Sequence, residues 1–126
     1  MIPKFRAYDS GSLCRMYSPE EVMVGNGDIW IIDEDGVAGE WIVNNDLALM
    51  QSTGLTDKNG KEIFEGDIID STDGFLTGVV EFRVSLGMFV SELVEYNNFE
   101  RLCNVASSRK IIGNIWEHPE LAEVSS

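Results

Sequence analysis

The sequence predicts a mainly β protein, a small barrel with an N-terminal β-rich extension and one short helix. Apolar and polar residues alternate at period two in short runs such as Lys4-Phe-Arg-Ala-Tyr8, the pattern of a strand with one buried face. Turn residues, mostly Gly, Asp and Asn, punctuate those runs at a spacing of roughly 8–12 residues, which is the spacing of sandwiches and barrels. The length of 126 residues and the 44% hydrophobic content suit one domain. A chain of that size buries roughly two-thirds of its unfolded surface, so no staple, metal or cofactor is needed for stability.

Each element follows from local signals. Residues 4–8 and 13–17 form a hairpin around the turn material Asp9-Ser10-Gly11. Ser18-Pro19-Glu20-Glu21 carries the helix signal: Ser18 can cap, Pro19 suits the first helical position, and Glu21 completes a capping box. Gly25 or Gly27 would end that helix within two turns. Asp28–Ile32 and Val37–Val43 flank Asp33-Glu-Asp-Gly36 as a second hairpin. Leu47–Ser52 reads as a strand. Asn59-Gly60, Gly66-Asp67 and Thr72-Asp73-Gly74 read as turns, because Gly and Asn tolerate positive φ and Asp bonds nearby backbone N–H groups. Gly78–Val84 and Met88–Leu93 are strands joined at Ser85-Leu-Gly87. Tyr96-Asn-Asn98 and Ala106-Ser-Ser108 mark loops around an undefined segment. Arg109–Trp116 is the last strand, and His118-Pro-Glu-Leu121 closes with a helical turn. The one seam, Asn44-Asn45-Asp46, divides an extension at residues 1–46 from a barrel at 47–126, the two packed as one compact unit. The three tryptophans, with Phe75, Phe82, Phe89 and Phe99, are enough to fill a small barrel core. An exposed aromatic among them would mark an interface.

The densest motif runs from Leu49-Met50-Gln51 through Gly54, Asp57, Asn59, Gly60 and Gly66 to Asp67-Ile68. With the opening Lys4-Phe-Arg-Ala-Tyr8, the looser Gly78-Val-Val-Glu-Phe82 and the ending Ile111-Ile-Gly113-Asn114-Ile-Trp-Glu117-His-Pro119-Glu-Leu121, it resembles the YopX family of phage and prophage proteins. His118 departs from the pattern, where Asn would be usual. The resemblance implies an SH3-like barrel in the C-terminal portion and supplies no catalytic residue. Its signature positions, Gly54, Asp57, Asn59, Gly60, Gly66, Asp67, Gly78, Gly113 and Asn114, are expected to serve turns and packing. Residues 65–80, Glu-Gly-Asp-Ile-Ile-x₄-Gly-x₃-Gly-Val-Val, also look like a KOW-type segment, in which Gly78 would permit a bend or bulge.

Charge narrows the function. The chain has 9 Lys+Arg against 22 Asp+Glu, a net −13. The acid is spread, with 3 basic and 9 acidic residues over 1–50 and 6 basic and 13 acidic over 51–126. Such a chain repels phosphate backbones and attracts basic partners. The KOW-like loops carry Glu65, Asp67, Asp70 and Asp73 where an RNA-binding module would carry Lys and Arg. His118 is the single histidine and lacks an evident nucleophile or orienting acid. Cys14 and Cys103 are the only cysteines. With no apolar leader at the N-terminus, a reducing cytoplasm is expected and both thiols should be buried. Asp33-Glu-Asp-Gly36 lacks the spaced ligands of a calcium loop, no phosphate-cradling glycine motif occurs, and an apolar run as long as any in the chain, Ile29–Ile32, is too short for a membrane span. The expectation is a non-enzymatic phage or prophage accessory protein in the cytoplasm of the bacterial host. It should use no cofactor, metal or membrane, and bind a host or phage protein through an acidic surface or a sheet edge. Unpaired edges also favour a homo-oligomer. The alternative is a nucleic-acid-associated SH3-like or KOW-like module.

Overall fold

The computed structural model describes residues 4–11, 14–32 and 40–123. The fold is mainly β, with one short α-helix among the described residues. The chain divides into two compact units, residues 1–51 and 52–126, each with its own core.

In the first unit β1 (Phe5–Asp9) pairs antiparallel with β2 (Arg15–Tyr17), Ala7 opposite Tyr17. This is the expected first hairpin, and Asp9 Oδ1 accepts the Gly11 N–H at 2.8 Å within its turn. After β2 the capping signal yields a single 3-10 turn, Pro19–Glu21, rather than a helix of up to two turns. Glu21 Oε1 accepts from the Ser18 N–H at 3.0 Å and from its hydroxyl at 3.1 Å. Arg15 pairs with the same carboxylate and lies 4.4 Å from the centre of the Tyr17 ring. The cap is real, but the next residues, Val22-Met-Val24, prefer the pleat and pair in register with Ile31, Trp30 and Ile29. Tertiary pairing therefore overrides the local start signal.

That pairing forms a three-stranded sheet in the order β3 (Val22–Gly25), β4 (Asp28–Ile32), β5 (Trp41–Val43). Gly25 and Gly27 are turn residues here, not helix terminators. The β3–β4 hairpin closes on Asn26 and Gly27, both left-handed with φ of 53° and 78°, the conformation that a two-residue hairpin needs and Asn-Gly supplies. Residues 33–36, expected as the next turn, lie outside the described residues. The Asn44-Asn45-Asp46 seam is a hydrogen-bonded corner. Asn45 accepts the Ile29 N–H at 2.8 Å and donates to Asp28 Oδ1 at 2.9 Å, while Asn44 donates its N–H to Ile29 O at 2.9 Å. Ala7, Tyr17, Val22, Ile31 and Leu47 form this unit's core, with Phe5 and Ile29 packed against it.

Strand β6 (Ala48–Thr56) is continuous through the division. Residues 48–51 pair with β1, whereas Ser52 and Thr56 pair with β7 (Glu62–Phe64). In the second unit β8 (Asp67–Asp70), β9 (Gly78–Arg83), β10 (Met88–Leu93) and β11 (Phe99–Arg101) run as a meander. The α-helix α1 (Leu102–Val105) and a 3-10 turn (Ala106–Ser108) lead to β12 (Lys110–Asn114), which returns beside β8. The sheet order is β11-β10-β9-β8-β12. The helix thus falls in the segment between the two loops, where no local signal defines an element.

The second core is aliphatic: Ile63, Ile69, Val80, Leu102 and Ala106, with Leu55, Phe89 and Ile111 against it. The aromatic core expected there does not form. Phe75 is 69% exposed, and Phe82 and Trp116 are also exposed. Trp30 and Trp41 belong to the first unit. Ile63, Ile69 and Val80 from β7, β8 and β9 fill the space instead, with Leu102 from α1 and Ala106 from the 3-10 turn after it. Both cysteines are exposed, against the expectation of burial. Cys14 stands in a left-handed conformation before β2 (φ 47°), and on α1 it is Leu102 that takes the inward position beside Cys103.

Candidate interaction surface

The nine signature residues all lie in the second unit, where hydrogen bonds and close backbone approaches tie most of them together. Asp57 is the hub, a carboxylate only 5% exposed. Its Oδ1 accepts the N–H groups of Asn59 and Lys61, both at 2.9 Å, and its Oδ2 accepts the Ile111 N–H at 3.0 Å. Gly60 closes the same turn, donating its N–H to Asp57 O at 3.0 Å with φ 82°. Burial pushes the Asp57 carboxyl up, but the three backbone donors, with the Lys61 charge, outweigh it and hold it below its ordinary 3.8. One side chain thereby joins the β6–β7 hairpin to β12, a separation of 54 residues.

The other positions are equally occupied. Gly54 (φ 78°) lies where the β6–β7 register shifts, between Ser52 and Thr56. Gly66 turns the chain at φ 85°, donates its N–H to Val80 O at 2.8 Å and accepts the Ile115 N–H at 2.9 Å. Asp67, 2% exposed, accepts the Phe64 N–H at 2.8 Å across that turn. Asn114 Oδ1 accepts the N–H groups of Trp116 (3.0 Å) and Glu117 (2.8 Å), and its amide donates to Glu117 Oε1 at 2.8 Å. Gly113 has the His118 ring against it, with Nδ1 2.7 Å from where a Cβ would stand. The bend or bulge expected at Gly78 is absent, since β9 pairs regularly from Gly78 to Arg83. Gly78 is required because a Cβ there would collide with the Ser91 hydroxyl on β10. The shift in register falls in β12 instead, between Ile111 and Gly113.

The signature therefore accounts for a scaffold. Among the described residues no three His, Cys, Asp or Glu side chains group as a metal site, and His118 serves packing and accepts the Asn114 N–H at 3.3 Å. No helix is long and apolar enough to cross a membrane.

A surface with different chemistry lies on the first unit. Cross-strand partners share a face, and in the β3-β4-β5 sheet Val22, Ile31 and Ile42 stand in one row. Val22 and Ile31 of that row enter the core. The opposite face carries the row Met23, Trp30 and Val43 and the pair Ile32 and Trp41. Met23 is 46% and Val43 44% exposed. Met23, Val24, Gly25, Asn26, Trp30 and Trp41 line an open pocket of about 310 Å³ there. The Trp30 ring is fixed by a hydrogen bond from its N–H to Gly25 O at 3.3 Å. Asp28, opposite Gly25, stands on the same face, and the exposed Glu40 immediately precedes Trp41. This is an apolar, aromatic surface with an acidic rim.

No sequence motif marks Met23, Val24 or Val43, whereas Trp30 and Trp41 stand among the aromatics of which an exposed one would mark an interface. The available signal was parity: Ile29–Ile32 and Trp41–Val43 are apolar at every position, so both faces of those strands are apolar while the core takes only one.

A family model described as YopX protein matches residues 4–123. This chain belongs to the YopX family. Among solved structures it is similar to protein EF1440 from Enterococcus faecalis, at 29% identity and a TM-score of 0.64, covering 98% of this chain and 99% of that one. It is also similar to protein yopX from Bacillus subtilis, at 20% identity and a TM-score of 0.59, covering 94% and 96%. At that lower identity the likeness shows the fold alone. No curated protein matches the chain.

Proposed function

We propose that this YopX-family chain is a non-enzymatic protein-interaction module. The setting we propose is a phage or prophage accessory protein in the cytoplasm of the bacterial host. The observation that carries the reading is the apolar face of β3-β4-β5, where exposed Met23 and Val43 stand beside half-buried Trp30 and Trp41. Soluble proteins rarely leave a contiguous apolar patch uncovered unless it meets a partner, and Trp is the residue most enriched where binding energy concentrates. The net charge of −13 supports a protein partner over nucleic acid. The second unit is read as an SH3-like barrel acting as scaffold. Supporting that, β12 pairs with β8 after a meander of β8–β11 and a 3-10 turn.

The test is capture from lysogenic cells, followed by reconstitution of the complex from two purified proteins. Met23→Ser and Val43→Ser alter exposed side chains, so both variants should fold as the parent does and lose about tenfold or more in affinity for the reconstituted partner. Undiminished binding by both variants would remove the face from the reading.

A further inference from the structure

The chemistry of that face specifies what fits it. Resting on the interaction-module reading, we propose that the β3-β4-β5 face receives a cationic peptide segment with one large apolar anchor. The anchor, an aromatic or long aliphatic side chain, enters the pocket between Met23, Trp30 and Trp41, and flanking Lys or Arg residues face the acidic rim.

Size argues for a side chain. About 310 Å³ is at the lower limit of pockets that enclose a drug-sized molecule, and this one is open to solvent beside exposed Met23 and Val43. The lining favours adaptable apolar contact: a methionine and two indoles give a large, polarizable surface, and an indole face also attracts a guanidinium or ammonium group. Because Trp30 is anchored through Gly25 O, little side-chain freedom is lost when an anchor docks against it.

Charge selects the sequence around the anchor. Asp28 stands on the pocket's face opposite Gly25, and the exposed Glu40 adjoins Trp41 in the chain. Residues 1–50 hold 9 acidic against 3 basic residues, and Arg15 among the latter is paired with Glu21. A cationic segment is drawn to such a rim and an acidic one is rejected. The same rule disfavours a second copy of this chain as occupant, since each copy brings −13.

The experiment is titration of the intact protein with three synthetic peptides of equal length, followed by backbone amide shifts. One peptide has a central Phe flanked by Lys, one has Ala in place of Phe, and one has Glu in place of each Lys. The Lys-flanked Phe peptide should shift Met23, Val24, Trp30 and Trp41 and bind about tenfold or more tighter than either control, the scale set by burying one large apolar side chain. Glu40→Lys should weaken it, and so should added salt. Equal binding of the Ala peptide would mean charge alone is read, and equal binding of the Glu peptide would mean charge is not read; either overturns the proposal. Failure of all three peptides also overturns it. If Val43→Ser still abolishes binding of the natural partner in that case, the interaction module stands and only its partner chemistry is wrong.

Discussion

Asp57 ties two distant segments of the second unit together through a single side chain. Its carboxylate accepts three backbone N–H groups from two segments, 59–61 and 111. Its pKa lies below the ordinary 3.8 in the folded protein, where the donors and Lys61 overcome the effect of burial. A depressed carboxylate contributes stability that is present above the unfolded pKa and lost as pH falls through the folded one. The parent should therefore lose stability as pH drops below about 4, the unfolded carboxylate range. Asp57→Asn replaces one acceptor oxygen by an NH₂ group facing a backbone donor, so it should cost on the order of 1–3 kcal/mol at neutral pH. Urea unfolding across pH checks both halves: the gap between parent and variant should narrow in acid. A gap that stays constant to pH 2.5, about a unit and more below the unfolded value, would show that the charge of Asp57 is not what the fold uses.

At the scale of elements, two turns with a left-handed glycine are legible. Asn59-Gly60 and Gly66-Asp67 form turns as read, because positive φ leaves a compositional trace. Others were hidden by a competing signal. Asn26-Gly27 is as strong a hairpin dipeptide as Asn59-Gly60, yet the capping residues Ser18 and Glu21 upstream made the segment read as helix. The cap formed, and cross-strand pairing of Val22–Val24 with Ile29–Ile31 decided the rest. Gly78 reads in the sequence as a place for a bend or bulge, but the structure needs it for the close approach of β9 to β10, which leaves no local pattern. That approach gives a prediction. Gly78→Ala places its methyl on the Ser91 hydroxyl and should destabilise by about 1–3 kcal/mol through overpacking. Ser91→Gly removes the obstructing atoms, so the double variant should be more stable than the sum of the two single changes predicts, by about 0.5 kcal/mol or more of coupling. Strict additivity in thermal or urea unfolding would place the strain elsewhere.

For the molecule as a whole, charge and exposed surface select between the two classes of partner left open by the fold. A barrel-like second unit is compatible with nucleic acid, so topology alone does not choose. The loops that would approach a phosphate backbone carry Asp70 and exposed Asp73, with Asp67 buried below them. Of the basic residues in that unit, Arg109 is buried against Glu100, its Nη2 2.9 Å from Oε1. Arg83 is paired with Glu92 and stacked 4.2 Å from the centre of the Phe99 ring. Lys58 reaches the Thr72 hydroxyl at 3.2 Å. Arginines paired with carboxylates in this way release few counterions from a polyanion, and counterion release supplies most non-specific affinity. The chain should therefore show no gel shift with DNA or RNA at micromolar concentration and about 0.15 M salt, and its association with a basic partner should slow as salt rises, since screening weakens electrostatic steering. Submicromolar binding to either nucleic acid under those conditions, worth roughly 8 kcal/mol or more, would mean that the acidic loops are not the contact surface and that the barrel-like unit, not the two-tryptophan face, carries the function.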